Sequence, residues 1–176
     1  MPNYVRKELH SLQNPKPKIP QYAPHRWSVP AYGKRLQMTP YPDKSDLIDN
    51  KTTNRIHNNV GTMLYYPLSV HPTMMTEINE ILLVQSRPKR DTAEKAKILL
   101  DYAATYPNVI TCYKDSDMVL HVDSDTSYLT VIEASSCYSG NFYLSDWPTP
   151  SSIKPNPERN APIHTLHMRC AQQSSL

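Results

Sequence analysis

At 176 residues the chain has room for one domain or for two partial ones. Its hydrophobic content of 39% is low for a globular protein, and 17 prolines stand against three glycines, too few for a phosphate-cradling glycine loop. The net charge of +3 is uneven: residues 1–42 carry Arg6, Lys7, Lys16, Lys18, Arg26, Lys34 and Arg35 against one acid, Glu8, a net of +6 that leaves −3 for the remainder.

Apolar runs such as residues 81–84 are far too short to span a bilayer. The N-terminus, Met-Pro-Asn-Tyr-Val-Arg-Lys-Glu, has no apolar stretch of the signal-peptide kind. Cys112, Cys137 and Cys170 are odd in number and widely spaced, which points to free thiols in a reducing compartment. The expectation is a soluble chain with no membrane partner, cytoplasmic or nuclear and not secreted.

Along the chain, Tyr4, Val5, Leu9 and Leu12 fall on one side of a short helix over residues 2–12. Prolines recur too often across 13–45 for any regular element. This basic stretch is interleaved with Tyr4, Tyr22, Trp27, Tyr32 and Tyr41. It suits an arm that follows phosphates and stacks bases, with Lys34 and Arg35 as candidate contacts. It equally suits a solvated connector whose rings pack on a neighbouring domain.

From Asn54 the period becomes helical. Ile56, Val60, Met63 and Leu64 share a face, and Pro67 is expected to end or kink that helix. A second helix is predicted from His71-Pro72, where proline suits the first turn, with Met74, Met75, Ile78, Leu82 and Gln85 inward and Pro88 closing it. A third starts at Asp91, followed three residues later by Glu94 in a variant capping box; it buries Ala96, Leu99, Leu100 and Ala103 and stops at Pro107-Asn108. After Asn108 the period is two: residues 109–113 and 118–122 read as strands about a polar turn, residues 141–144 as another, and 163–168 as a fourth. The proline-rich span 148–162 is a loop.

Asp123 and Asp125 carry the strongest chemical signal. Residues two apart on a strand share a face, so a strand persisting through Asp125 brings two carboxylates together, where they repel unless a cation is shared. Mg²⁺ favours such oxygen ligands, and paired ions activate water in phosphodiester cleavage. A calcium loop is excluded by Tyr128 at its glycine position and Ala134 at its final glutamate position. A haloacid-dehalogenase-type phosphotransferase begins with a similar Asp-x-Asp, but Ser127 breaks its pattern and about 50 residues remain for the rest of that fold. The plainer alternative is a strand-end turn in which Asp, Ser and Thr cap backbone groups. His164, His167 and Cys170 invite a zinc reading, but on a strand the two histidines face opposite ways.

The order of these segments resembles a copia-type retrotransposon Pol polyprotein, from its connection region into the N-terminal part of ribonuclease H. Residues 1–5 (Met-Pro-Asn-Tyr-Val) are similar to the "S-M-P-G-Y" piece after the reverse-transcriptase palm, with Asn3 in place of its glycine. Residues 23–27 and 31–33 (Ala-Pro-His-Arg-Trp and Ala-Tyr-Gly) resemble the proline-rich piece that follows in one branch of these elements. Residues 60–66 (Val-Gly-Thr-Met-Leu-Tyr-Tyr) are similar to the "V-G-x-L-x-Y" helix, and 97–102 (Lys-Ile-Leu-Leu-Asp-Tyr) to "K-R-I-L-R-Y-L". Residues 117–128 match the opening ribonuclease H strand, and 139–145 (Ser-Gly-Asn-Phe-Tyr-Leu-Ser) its second. The departures are Pro67 within a helix, Ser135-Ser136-Cys137 where the family is basic, and Ala171-Gln-Gln-Ser-Ser where it approaches "S-x-A-E-A-E".

The resemblance implies an α+β chain: a proline-rich basic arm over 1–53, a helical connection region over 54–107, and a truncated ribonuclease H-like antiparallel sheet over 108–176. It places Asp125 at the first catalytic, metal-binding aspartate, with Asp123 beside it as a second candidate ligand. The parent enzyme uses Mg²⁺ to cleave RNA–DNA hybrids during reverse transcription, with the rest of Pol as partner. Because the acids expected after Leu176 are missing, the site in this chain is expected to be vestigial, and a retained nucleic-acid- or partner-binding role is the alternative.

Overall fold

A computed structural model describes residues 3–26, 43–131, 135–148 and 159–170. The protein is α+β, and its chain divides into two compact units, residues 1–37 with 41–109 and residues 38–40 with 110–176.

The first unit is helical: α1 (Tyr4–Ser11), α2 (Asn50–Met63), α3 (Tyr65–Ser69), a 3₁₀ turn (Pro72–Met74), α4 (Met75–Val84) and α5 (Arg90–Thr105). Each helix contributes its apolar stripe to one core of Val5, Leu9, Ile56, Val60, Met63, Tyr66, Met74, Ile78, Ile81, Ala96, Leu99, Leu100, Tyr102 and Ala103. Burial of this kind contributes about 1.5–3 kcal/mol for each large side chain. The stripes expected on α2 and α5 are observed; on α4 Met74, Met75 and Ile78 are buried as expected, but Glu77 and Ile81 take the core positions in place of Leu82 and Gln85, which are only half-buried. Helix α1 belongs to this core rather than to a free arm.

Local chemistry sets the helix ends. Asp49 caps α2, its carboxylate accepting from the amides of Lys51 (3.2 Å) and Thr52 (3.4 Å). Pro67 offers no N–H to the Met63 carbonyl, so the helix breaks at Leu64 and restarts as α3. The cap of α5 differs from the expected Asp91–Glu94 box: the N-cap is Lys89, whose amide donates to Thr92 Oγ1 at 3.2 Å. Asp91 and Glu94 instead bind Arg26 from the N-terminal stretch. Residues 46–48 fasten the α4–α5 connection, with Arg90 N donating to Asp46 O at 3.0 Å and Ile48 N to Pro88 O at 3.4 Å.

The second unit is an antiparallel sheet of order β1–β2–β3, with β1 Val119–Val131, β2 Ser135–Ser145 and β3 Pro162–Cys170. Register pairs Asp123 with Asn141 and Asp125 with Ser139, then Asn141 with Thr165 and Ser139 with His167. The strand predicted over 109–113 does not form. At its end the chain is tied by side chains: Asn160 accepts from Lys114 N (2.9 Å) and donates to Lys114 O (2.8 Å), and the Tyr113 hydroxyl donates to Pro162 O (3.2 Å). Alternation over five residues gives a strand only where a partner strand is available, and among the described residues no strand pairs with this segment.

Candidate functional site

Strand β1 continues through Asp125 and beyond, so the condition for Asp123 and Asp125 to share a face is met. Their Cα atoms are two strand rises apart, about 7 Å. Pleating divides the sheet into two chemically different faces. His121, Asp123, Asp125, Ser139, Asn141, Tyr143, Thr165 and His167 occupy one; Leu120, Val122, Phe142, Leu144, Leu166 and Met168 occupy the other. The polar face carries a shallow depression of about 500 Å³ lined by Asp123, Asp125, Ser139, Asn141 and Arg159.

Within that depression Asp123 is half-buried and paired with Arg159, Nε to Oδ2 at 3.0 Å. Asp125 is exposed, beside Ser139 on β2 and one strand further from His167. Asp125 is thus the carboxylate open to an incoming cation, while Arg159 already partly neutralises Asp123. Arg159 was not singled out by the sequence, because it lies 36 residues after Asp123 in an irregular stretch with no motif around it. Among the described residues no cluster of three or more His, Cys, Asp or Glu side chains could enclose a metal ion.

At the end of the sheet, Asp117 and Asp146 brace the strand ends. Asp117 N donates to Asp146 Oδ1 (3.1 Å), Trp147 N donates to Asp117 Oδ2 (3.3 Å), and His121 Nε2 lies 2.9 Å from Asp146 O. His121 also stacks on Tyr143 at 5.4 Å. Gly140 is close-packed: a Cβ there would meet the Phe142 ring at 3.4 Å, so a larger residue would have to push the ring aside.

The zinc alternative fails for the reason that spacing suggested. His164 lies on the apolar face beside Phe142, 5.6 Å between centroids, and His167 on the opposite one. Among the described residues Cys112 and Cys137 form no disulfide. Lys34 and Arg35, with Trp27, Tyr32 and Tyr41, lie outside the described residues. Two members of the basic, aromatic N-terminal stretch are committed elsewhere. Tyr4 donates to Thr62 O (2.7 Å) and stacks on Tyr66, and Arg26 is ion-paired to α5.

Glu77 is a buried ionisable residue that no motif singles out. It is 4% exposed, with Oε1 lacking a hydrogen-bond partner. Burial, reinforced by the Glu80 charge, pushes its carboxyl up to about 7, against the pull of Lys95 and His25. The signal was present: Glu77 lies three after Met74 and four before Ile81, on the buried stripe of α4.

No protein-family model, curated protein or solved structure matches this chain. Among the described residues no helix is long and apolar enough to cross a membrane.

Proposed function

We propose that the chain derives from a copia-type Pol polyprotein, spanning the helical connection region and the first strands of a ribonuclease H domain. The observation that carries this reading is the placement of Asp125 on the polar face of the first strand of an antiparallel sheet that follows a helical unit. Asn3 adds support. It sits at φ 66°, a conformation that favours glycine and that asparagine tolerates better than most residues. Glycine is what the family pattern carries at that position.

On this reading Asp125 is the first metal ligand of a nuclease site, with Asp123 held back by Arg159. One open aspartate cannot hold the two ions of phosphodiester cleavage, so the chain by itself binds Mg²⁺ weakly and cleaves nothing. Mn²⁺ titration followed by NMR tests the site. Paramagnetic broadening should start at Asp125, Ser139 and His167 and vanish in Asp125→Asn. Broadening spread evenly over all the acids would remove the site. Mg²⁺-dependent cleavage of an RNA–DNA hybrid, abolished in Asp125→Asn, would refute the proposed inactivity.

A further inference from the structure

The cations of the helical unit are not evenly used. Four cations on or near α5 are paired, Arg26 with Asp91 and Glu94, Arg90 with Glu94, Lys95 with Glu80, and Lys97 with Asp101, whereas Lys44, Lys51 and Arg87 are exposed and form no ion pair among the described residues. Arg6, Lys7, Lys16, Lys18 and Arg55 are exposed, and among the described residues none of them forms an ion pair.

Contacts between segments bring the stretches that carry these five next to one another. Tyr4 reaches Thr62 O (2.7 Å) and Arg55 Nη2 reaches Leu12 O (3.4 Å), so α1 runs antiparallel along α2. Residues 14–21 then return along α5, where Asn14 Nδ2 donates to Asp101 (3.4 Å) and Gln21 N to Thr105 Oγ1 (3.0 Å). Helix α1, carrying Arg6 and Lys7, therefore lies between Arg55 and the Lys16/Lys18 strip. Acids in this surface are few: α2 has none, Glu8 of α1 is half-buried, and Asp101 is taken by Lys97 at 2.9 Å.

Two exposed rings border the charges where α1 begins and α5 ends. Tyr65, 57% exposed, stands edge-on to Tyr4 at 6.2 Å; Tyr22, 74% exposed, follows the Gln21–Thr105 contact. Unpaired cations beside uncovered aromatic faces meet the two requirements of single-strand binding: charge for phosphates and a ring for bases. A purely acidic protein surface would leave the rings unused.

We propose that this face of the helical unit is a track for single-stranded nucleic acid, with phosphates on Arg6, Lys7, Lys16, Lys18 and Arg55 and bases stacked on Tyr22 and Tyr65. It is separate from the Asp125 site and does not depend on it.

Fluorescence anisotropy of the full chain with a labelled single strand of about 12 nucleotides tests the proposal, within the range of known site sizes. Five phosphate contacts predict a log–log salt slope of about −3.5, at about 0.7 per contact. Lys16→Gln with Lys18→Gln should flatten it by about 1.4. Tyr22→Ala should weaken binding about 5- to 150-fold while leaving the slope unchanged, since stacking is uncharged. All three positions are exposed, so far-UV circular dichroism should match the parent chain. Asp125→Asn should bind the strand normally, which separates this surface from the nuclease reading. No salt-sensitive binding would overturn the proposal. So would Tyr22→Ala binding as the parent does while heparin displaces the strand, which would indicate a generic polyanion surface.

Discussion

Replacing Glu77 by glutamine should make the helical unit more stable at pH 8 and nearly unchanged at pH 5. Its carboxyl is raised from 4.5 to about 7 by burial, with Glu80 adding repulsion. Lys95 cannot cancel this, because its ammonium is already bonded to Glu80 at 2.8 Å. The folded state therefore holds a proton that the unfolded chain releases near 4.5. Stability from that proton is complete below pH 4.5 and is lost as pH rises through 7. A difference of about 2.5 units corresponds to about 3 kcal/mol. His71 works in the opposite sense: burial lowers its pKa, so its effect is a loss of stability as pH falls below the ordinary histidine range. Glutamine at 77 leaves His71 untouched, so the difference between the two proteins isolates Glu77. Urea unfolding followed at 222 nm at pH 5, 6.5 and 8 is the assay. The variant should gain about 2.5 kcal/mol relative to the parent between the extremes, the rest of the difference lying below pH 5. Parallel pH profiles, or a variant less stable than the parent at pH 8, would refute the reasoning.

Two further outcomes follow from the same core. Tyr66 joins α3 to the end of α5, its hydroxyl donating to Tyr106 O (3.5 Å) and accepting from Val109 N (3.2 Å), so Tyr66→Phe should cost about 1–2 kcal/mol in urea unfolding. Leu100, 2% exposed, lies where α5 meets the other helices; Leu100→Ala should cost about 2–5 kcal/mol and lower the melting temperature with helical content intact below the transition.

The helices were legible because their signals are local. Ile56, Val60 and Met63 recur at helical spacing, and Pro67 and Pro72 punctuate by lacking an N–H, whatever they pack against. The β1 carboxylates were legible for the same reason, since alternation fixes which residues share a face once a strand forms. The N-terminal stretch was only half legible. Composition showed charge and aromatics, but not that Val5 and Leu9 would be drawn into the core, that Arg26 would be consumed by Asp91 and Glu94, or that Arg55 from a distant helix would join the cations left over. Arg159 beside Asp123 and Asn160 holding Lys114 were illegible for one common reason: each is a pairing across more than 30 residues with no periodic pattern to announce it.

The sequence by itself determined the α-then-β order, the helical stripes and the shared face of Asp123 and Asp125, because backbone geometry and side-chain period act over a few residues. Only the tertiary structure decided which charges are spent and which remain available. Glu77 became a buried acid, Asp125 the open carboxylate and α1 the centre of a cationic surface through contacts between distant segments. An ionisable group's state depends on its neighbours in space and on its access to water, and neither is written in its position along the chain.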